Sequence, residues 1–347
     1  MQYLEYAIQL AEMVEGQTGT NPAVGAVIVK NGRIIGIGAH LKKGEKHAEV
    51  QAIDMAGESH VKGATIYVSL EPCSHYGHTP PCAQKIIDTG ISKVVYAAKD
   101  TTLKDTGHAM LRDHGVEVDY RPHPKATQLY TEFYQSKRAS LPIVTVKVSA
   151  SMDGKQATDD FKSQWITSKA VKKDVFQLRH RHDAILTGNG TLMHDNPSLT
   201  TRCEDGHHPA KVILSRSGRI DWQAQLFHDQ TTPIYVYTEN ETVISPWAHV
   251  VLIRMNSVEI EAVLKDLYQK GYGRVLVEAG PNVTSQFLAS YYVTNFILYV
   301  APKLIGGQGI NQFFHTEKVT PLDQLPQFEI VQTDILDTDL KLRLRRK

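Results

Sequence analysis

The chain has 347 residues, enough for two domains of ordinary size, and its content of 41% hydrophobic and 22% charged residues is typical of a globular protein. Thirty-eight basic and 37 acidic residues give a formal charge of +1, which argues against nucleic acid as the main partner because phosphate binding needs a basic face. The sequence has no signal-peptide core and no run of about 18 apolar residues, so we expect no membrane contact and a cytoplasmic location.

The first half of the sequence predicts alternating helices and strands. Asn31-Gly32 separates the first two strands and is typical of a hairpin turn. This alternation predicts a three-layer α/β/α domain. Helices are predicted at 2–14, 47–56, 82–88 and around 108–112, and strands at 24–29, 34–39, 64–69, 93–98 and 116–120.

Two short motifs in this half contain residue types that bind zinc. His47 and Glu49 form a His-x-Glu motif, and Cys73 and Cys82 follow it. One imidazole and two thiolates can hold Zn²⁺ with a fourth position open for water, and a carboxylate that is not a ligand can act as general acid and base. Three cysteines are too few for a disulfide framework. We therefore predict His47, Cys73 and Cys82 as metal ligands and Glu49 as the catalytic residue.

The positions of these residues in the predicted helices are informative. Residues two apart in a helix point about 200° apart, so His47 and Glu49 converge only if His47 lies at the helix start. Cys82 follows two prolines and is also predicted to begin a helix, where the dipole favours a thiolate.

Two alternatives remain open in this half. A fourth ligand, His75 or His78, would give a closed structural site with no catalytic activity. Asn21, which precedes Pro22, is either a turn residue or an amide that reads the edge of a pyrimidine.

The motifs resemble the cytidine deaminase superfamily, whose signature is His-x-Glu followed by Pro-Cys-x-x-Cys. Here eight residues separate Cys73 from Cys82, and the intervening Ser-His-Tyr-Gly-His-Thr-Pro-Pro resembles the bifunctional deaminase/reductases of riboflavin biosynthesis. Residues 20–25, Thr-Asn-Pro-Ala-Val-Gly, are also similar to the entry to the first strand in that family. The resemblance implies that Asn21 binds substrate.

The second half predicts another α/β unit after a helix at 126–139. Pro142 precedes a β-rich run, so we predict domains at 1–142 and 143–347. The last stretch, 328–344, alternates like an antiparallel edge. Further strands are predicted at 143–149, 183–186, 211–214, 234–237, 249–253 and 274–278, with helices from Thr167 or Ser168 to near Arg181, at 258–270 and at 282–290.

Glycine-rich turns in this half are candidates for binding a dinucleotide. Gly188-Asn189-Gly190 is an incomplete G-x-G-x-x-G motif and is interpreted as an ordinary turn. The run 280–286 follows a strand and begins a helix whose free N–H groups could hold a phosphate, with an ordinary strand-to-helix turn as the alternative. Residues 306–309 form either a lid or a loop.

Four motifs of the second half are similar to the same riboflavin family, at residues 149–154, 163–167, 191–202 and 277–281. The resemblance implies a dihydrofolate-reductase-like α/β domain that uses NADPH. It implies cofactor contacts from Ser149, Trp165, Thr191, Asp195, Gly280, Pro281, Asn282, Val283, Thr284, Ser285 and Gln286. It implies substrate contacts from Ser163, Leu199, Arg202 and Glu278.

Some of these residues have a simpler interpretation without the family. Arg202 is then a surface charge and Trp165 a core aromatic, although an arginine suits a ribose phosphate by bidentate pairing. The sequence identifies no acid or base for the reduction, for which Asp195 and Glu278 are the candidates.

The resulting hypothesis is a hydrolase joined to an oxidoreductase. The first domain deaminates a small-molecule pyrimidine ribotide, 2,5-diamino-6-(ribosylamino)pyrimidin-4-one 5'-phosphate, and the second reduces its ribosyl group to ribityl with NADPH. The sequence leaves a homo-oligomer open. The rival hypotheses are a nucleic-acid base deaminase with an added binding domain, for which we find no basic and aromatic surface, and a zinc-stabilised scaffold without turnover.

Overall fold

The structure, a computed structural model, describes residues 2–76, 80–101, 107–163, 166–202, 208–308, 311–316 and 320–347. The chain divides into two compact units, residues 1–140 and 141–347. No helix in these described ranges is both long enough and apolar enough to cross a membrane.

The described residues of the first unit form one five-stranded sheet in the order β2-β1-β3-β4-β5. Strand β1 is antiparallel to both of its neighbours, whereas β3, β4 and β5 are parallel. The helices are α1 (Gln2–Met13), α2 (Ala48–Ala56), α3 (Cys82–Asp88), α4 (Gly107–Asp113) and α5 (Pro124–Ala139), and the strands are β1 (Gly25–Lys30), β2 (Arg33–Ala39), β3 (Thr65–Val68), β4 (Lys93–Tyr96) and β5 (Glu117–Tyr120).

Helices cover both faces of this sheet, which confirms the predicted three layers. Successive side chains of a strand point to opposite faces. Accordingly, Val27 packs with Ala7 of α1, and Ala26 belongs to the buried cluster that contains Ala52 of α2. At Gly38 of β2, an added Cβ would lie 2.2 Å from the Ala48 carbonyl oxygen. The glycine therefore lets the first turn of α2 lie directly against the sheet.

The second unit contains, among its described residues, a nine-stranded sheet in the order β10-β9-β8-β7-β11-β6-β12-β14-β13. The seven strands from β10 to β12 are parallel, and β14 and β13 form the predicted antiparallel edge. The helices are α6 (Lys169–His180), α7 (Asn189–Asp195), α8 (Ile260–Gln269) and α9 (Pro281–Ala289), and the strands are β6 (Ile143–Ser151), β7 (Ala184–Gly188), β8 (Ala210–Leu214), β9 (Ile234–Thr238), β10 (Val250–Arg254), β11 (Arg274–Val277), β12 (Val293–Ala301), β13 (Phe328–Leu336) and β14 (Asp339–Arg346).

The interpretation of Gly188-Asn189-Gly190 as an ordinary turn is wrong. Strand β7 ends at Gly188 and α7 begins at Asn189, so no turn residues separate them. An added Cβ at Gly188 would lie 2.8 Å from Cγ2 of Val283. Gly188 is therefore needed for close packing against α9, and this requirement depends on a residue far away in the sequence.

Candidate active sites

Three predicted metal ligands meet in the first unit. Nδ1 of His47 lies 3.2 Å from Sγ of Cys82 and 3.6 Å from Sγ of Cys73. All three ligand atoms lie within 4.8 Å of one another. One imidazole and two sulfur atoms form a donor set that suits zinc, and three protein ligands leave a fourth tetrahedral position for a reactant.

The helix starts bring these ligands together as predicted. His47 is the N-cap of α2 and has an extended backbone, with φ −69° and ψ 162°. Cys82 is the first residue of α3, after Pro81 as its N-cap. The backbone N–H of Cys82 donates to Sγ of Cys73 at 3.3 Å. The hydrogen bond from the Cys82 side chain is the main cause of a lowered pKa at Cys73, and contacts with His47 and the Cys82 N–H add to it.

Buried groups hold the loop that carries Cys73. The carboxylate of Glu71 is 4% exposed and accepts the backbone N–H of His108 at 2.9 Å. The N–H of Ala83 donates to the Cys73 carbonyl at 3.1 Å. These contacts hold the loop on both sides of the Pro72-Cys73 pair and so position the Cys73 sulfur at the cluster.

Glu49 lies in the first turn of α2, two residues after a predicted ligand, and is 4% exposed. Burial raises the pKa of its carboxyl to about 7, and the charge of Cys73 adds to the increase. A divalent cation at the cluster would act in the opposite direction, because a nearby positive charge favours the carboxylate. The carboxyl is thus enclosed beside the cluster, where a general acid and base is needed.

The described residues do not support His75 as a fourth ligand. Among them, the group that could hold a metal consists of His47, Cys73 and Cys82. His78, the other candidate, lies outside the described residues. The closed structural site therefore has no support from His75.

Asn21 is oriented by a histidine that no motif indicated. Nδ2 of Asn21 lies 3.2 Å from Nε2 of His40, and Nδ1 of His40 lies 3.3 Å from the Lys46 carbonyl. An amide nitrogen only donates and a carbonyl only accepts, so His40 carries its proton on Nδ1. The His40 ring is 5.2 Å from that of His47. Its position just after β2 gave no local signal, because the contact to Asn21 forms only when the hairpin closes.

The second unit contains a cavity of about 1060 Å³. Its size suits a dinucleotide together with a small substrate. Thr284 and Ser285 do not line it, since Oγ1 of Thr284 donates to the Ala279 carbonyl at 2.9 Å and Oγ of Ser285 contacts His315 at 3.2 Å. Trp165 lies outside the described residues. The other predicted contacts all line the cavity: Ser149, Ser163, Thr191, Asp195, Leu199, Arg202, Glu278, Gly280, Pro281, Asn282, Val283 and Gln286.

The N-terminus of α9 faces this cavity. Gly280 is the N-cap and Pro281 the first helical residue. Oγ1 of Thr191 accepts the Gly280 N–H at 2.8 Å, which fixes the turn before the helix. The N–H groups of Asn282 and Val283 are first-turn donors without a partner in a regular helix, and such donors bind phosphate. The geometry thus suits the pyrophosphate of a dinucleotide.

Glu278 is held by two cations that sequence reasoning missed. Arg179 contacts it through Nε at 2.9 Å and Nη2 at 2.8 Å, and Nζ of Lys147 lies 3.5 Å from it. Burial alone would raise the pKa of Glu278, but the charges of Arg179 and Lys147 outweigh it and lower the pKa to about 2. The ionised carboxylate is therefore a poor proton donor. Lys147 could have been noticed as the one charge within an apolar strand.

The cavity wall beside this triad, where Arg179 donates to the Thr200 carbonyl at 2.8 Å, has an unusual backbone. Asn196, Leu199 and Arg202 all have left-handed φ angles, of 42°, 52° and 53°. Such angles are rare in residues other than glycine and cluster at functional sites. The guanidinium of Arg202 lies 5.4 Å from the centre of the Phe176 ring, and both residues line the cavity. The ring therefore helps to orient the guanidinium there.

Together, the layered fold with its His-Cys-Cys cluster and the parallel sheet with its dinucleotide-sized cavity define a deaminase joined to a reductase. Residues 1–98 match the family model of the cytidine and deoxycytidylate deaminase zinc-binding region. Residues 142–342 match the family model of the RibD C-terminal domain. The chain belongs to the RibD family of bifunctional riboflavin biosynthesis enzymes.

Individual relatives span nearly the whole chain. Riboflavin biosynthesis protein RibD of Bacillus amyloliquefaciens is 39% identical over 98% of this chain and 94% of the relative, and that of Escherichia coli K12 is 32% identical over 99% and 98%. A crystal structure of a Thermotoga maritima diaminohydroxyphosphoribosylaminopyrimidine deaminase/5-amino-6-(5-phosphoribosylamino)uracil reductase has a TM-score of 0.90 at 34% identity, covering 100% of this chain and 98% of that one.

These comparisons confirm the predicted fold class, a cytidine-deaminase-like domain followed by a reductase domain. The chain is a hydrolase and an oxidoreductase of riboflavin biosynthesis that carries out deamination and then reduction. Its cofactors are Zn²⁺ and NADPH.

Replacement of a cluster cysteine tests the metal site. Cys82→Ser removes one of three ligands, so we expect zinc content to fall from about one ion per chain to a small fraction of that. Elemental analysis of the purified proteins measures it. Cys203→Ser is the matched control, because Cys203 is not part of the motif, and it should keep its zinc. Equal zinc content in the two variants would contradict the assignment.

Glu278→Gln tests the buried triad. The change leaves Arg179 and Lys147 without a counter-charge, and we expect the free energy of unfolding to fall by about 3–5 kcal/mol. All three tryptophans lie beyond residue 141, so tryptophan fluorescence during urea unfolding reports on this unit. Glu329→Gln removes the same charge from a pair with Arg345 in which the Glu329 side chain is 50% exposed, and it should cost about 0–1 kcal/mol. Similar losses for both variants would show that burial of the triad is unimportant.

Proposed function

We propose that residues 1–142 hydrolyse the exocyclic amine of 2,5-diamino-6-(ribosylamino)pyrimidin-4-one 5'-phosphate, and that residues 143–347 reduce the ribosyl group of the product to ribityl. The observation that carries the first step is the convergence of His47, Cys73 and Cys82 beside the buried Glu49. The similar Thermotoga maritima protein is named for these two activities, a pyrimidine deaminase and a uracil reductase, and this supports the proposal.

The deaminase site would work mainly by proton transfer. His47, Cys73 and Cys82 would hold zinc, which lowers the pKa of water to about 7 when bound. Glu49 would take a proton from the attacking water and deliver protons to the ring nitrogen and to the departing amine. Water oxygen replaces the amine on the ring carbon, and ammonia leaves.

Asn21 would orient the pyrimidine in this step. One N–H of its side-chain nitrogen donates to His40 at 3.2 Å, which leaves its carbonyl oxygen to accept an N–H from the ring edge and its second N–H to donate to that edge. The proton arrangement of His40 fixes the orientation of the amide. An aspartate in place of Asn21 could not donate to Nε2 of His40 in this tautomer.

The reductase site would bind NADPH and the deaminated ribotide in the cavity of about 1060 Å³. NADPH supplies the hydride. Its contacts would come from Ser149, Trp165, Thr191, Asp195 and the 280–286 run, in which Thr284 and Ser285 would contribute only backbone. Substrate contacts would come from Ser163, Leu199, Arg202 and Glu278, with Arg202 suited to the phosphate.

Of the two carboxylates considered as proton donors, Asp195 is the better candidate. Glu278 is ionised by Arg179 and Lys147, so its role would be to orient those cations toward the substrate. Oδ1 of Asp195 accepts the hydroxyl of Ser163 at 2.5 Å, which places it beside a predicted substrate contact.

The proposed partner is therefore a small molecule, and the proposed location is the cytoplasm. The near-zero charge supports a ribotide over nucleic acid, because nucleic-acid binding needs a basic surface.

Glu49→Gln separates the two activities in one protein. Without the carboxylate, we expect release of ammonia from the diaminopyrimidine to fall by at least about 10²- to 10⁴-fold, the contribution of a general acid and base. Zinc content should stay unchanged because Glu49 is not a ligand. NADPH oxidation, followed by absorbance, should remain normal when the deaminated pyrimidine is supplied.

The matched variant is Glu278→Gln. In this variant we expect ammonia release to stay normal and NADPH oxidation with the deaminated pyrimidine to fall. Undiminished ammonia release by Glu49→Gln would remove Glu49 from the mechanism. A wild-type protein that releases no ammonia would support the zinc-stabilised scaffold, and one that fails to oxidise NADPH with the deaminated pyrimidine would exclude the reductase assignment.

A further inference from the structure

A segment of the second unit, which we call the strap, runs along the cavity after β6. Its middle is a compact turn, because the N–H of Phe161 donates to the Thr158 carbonyl at 2.9 Å and the N–H of Thr158 donates to the Lys162 carbonyl at 3.1 Å. The strap is therefore a folded part of the cavity wall. It comprises residues 156–163, of which four line the cavity: Gln156, Ala157, Phe161 and Ser163.

The strap joins two places that are separated in the sheet. It begins a few residues after the end of β6 and reaches the last turn of α7, which follows β7. Strand β11 lies between β6 and β7, and adjacent strands lie about 4.8 Å apart. The strap therefore spans the edge of the sheet where β11 ends. Glu278 and Gly280, which follow β11, line the same cavity.

The near end of the strap is bound to Gln308 and Asn311. The N–H of Gln156 donates to the Asn311 carbonyl at 2.9 Å, and Nδ2 of Asn311 donates to the Thr158 carbonyl at 2.6 Å. Oδ2 of Asp159 accepts the N–H of Gln308 at 2.8 Å. These hydrogen bonds, two of which involve the backbone of the strap, fix its near end.

The far end of the strap lies on the last turn of α7. The Phe161 ring stacks on His194, with 4.4 Å between the ring centres and 6° between the planes. Oγ of Ser163 donates to Oδ1 of Asp195 at 2.5 Å. Phe161 is 46% exposed and has a left-handed φ of 61°, which is unfavourable for a bulky residue unless its contacts compensate. Opening at this end would break the stack and the hydrogen bond to Asp195 while the near end stays bound.

We propose that Phe161 and His194 are positioning residues of the reductase, whose stacking holds the strap closed across the cavity and so places Ser163 on Asp195. This inference rests on the proposed function, in which Ser163 contacts the substrate and Asp195 is the better candidate for the proton donor. An open strap would separate these two residues and admit water to the cavity. The closed strap is then the form that binds the deaminated ribotide, and the stack sets the fraction of protein that is closed before the ligand arrives.

Trypsin cleavage tests the strap without any nucleotide or ribotide. The Lys162 side chain is 81% exposed, so the bond after it can be cut, and the rate follows the open fraction when the strap recloses faster than trypsin cuts. In the zinc-loaded full chain, His194→Ala should speed this cleavage about 2- to 10-fold, because an aromatic pair shifts an equilibrium by about that factor. Mass spectrometry identifies the cut. His194→Tyr keeps a stacked ring and should be cleaved like wild type.

Met193→Ala is the matched control, since Met193 precedes His194 in α7, is 54% exposed and does not line the cavity. It should be cleaved at the wild-type rate. Equal acceleration by His194→Ala and Met193→Ala, or no acceleration by His194→Ala, would overturn the inference.

Steady-state kinetics with NADPH and the deaminated ribotide separates positioning from a loss of folded enzyme. Phe161→Ala and His194→Ala should each raise KM for the ribotide about 2- to 10-fold with kcat near wild type, because a saturating ligand closes the strap. The double variant should be no worse than the more affected single variant, since both changes remove the same contact.

A lower kcat with unchanged KM, or losses that add in the double variant, would contradict the positioning role and leave the reductase assignment intact. A wild-type protein that does not oxidise NADPH with this ribotide would remove the proposed function. The cleavage rates would still decide whether the stack closes the strap.

Discussion

The first unit depends on one convergence: an imidazole nitrogen and two sulfur atoms from three separate segments lie within 4.8 Å of one another. His47 can reach Cys82 because the chain is still extended where α2 begins. Helix α2 lies in position because Gly38 admits the Ala48 carbonyl against the sheet. Each contact depends on another, so a change in the packing between sheet and helix would move a ligand.

The site of the second unit is formed by the ends of parallel strands and not by a ligand cluster at helix starts. Seven parallel strands end at one edge, and the residues that follow β7, β8 and β11 line one cavity. Glu278 sets one negative charge against the two positive charges of Arg179 and Lys147, so the cluster keeps a net positive charge. In a partly enclosed site, the attraction of this charge for a phosphorylated substrate is stronger than in water.

Local features of the sequence predicted a large part of this structure. The hairpin at Asn31-Gly32 and the position of His47 at a helix start follow from rules that act over a few residues. Most contacts predicted for the second half do line its cavity. They could be predicted because they lie in motifs that this sequence shares with the riboflavin family. Thr284 and Ser285 are the exceptions, since the helix that follows Gly280 turns their side chains into the protein.

Long-range contacts could not be predicted in the same way. His40 meets Asn21 only across the hairpin, and Arg179 meets Glu278 across 99 residues of sequence. Strand β12 was missed because its nine mostly apolar residues follow α9 closely and have no distinct turn signal. Residue type and spacing indicate which chemistry is available, whereas the pairing of charges depends on the order of the strands.

The stoichiometry of a single incubation shows whether one chain deaminates and then reduces the same ribotide. Purified protein is mixed with the diaminopyrimidine ribotide, with and without NADPH, and ammonia and NADPH are measured over time. We expect ammonia release in both mixtures and, with NADPH present, about one NADPH oxidised per ammonia after a lag in which the intermediate accumulates. Oxidation of NADPH without release of ammonia would contradict this order of reactions.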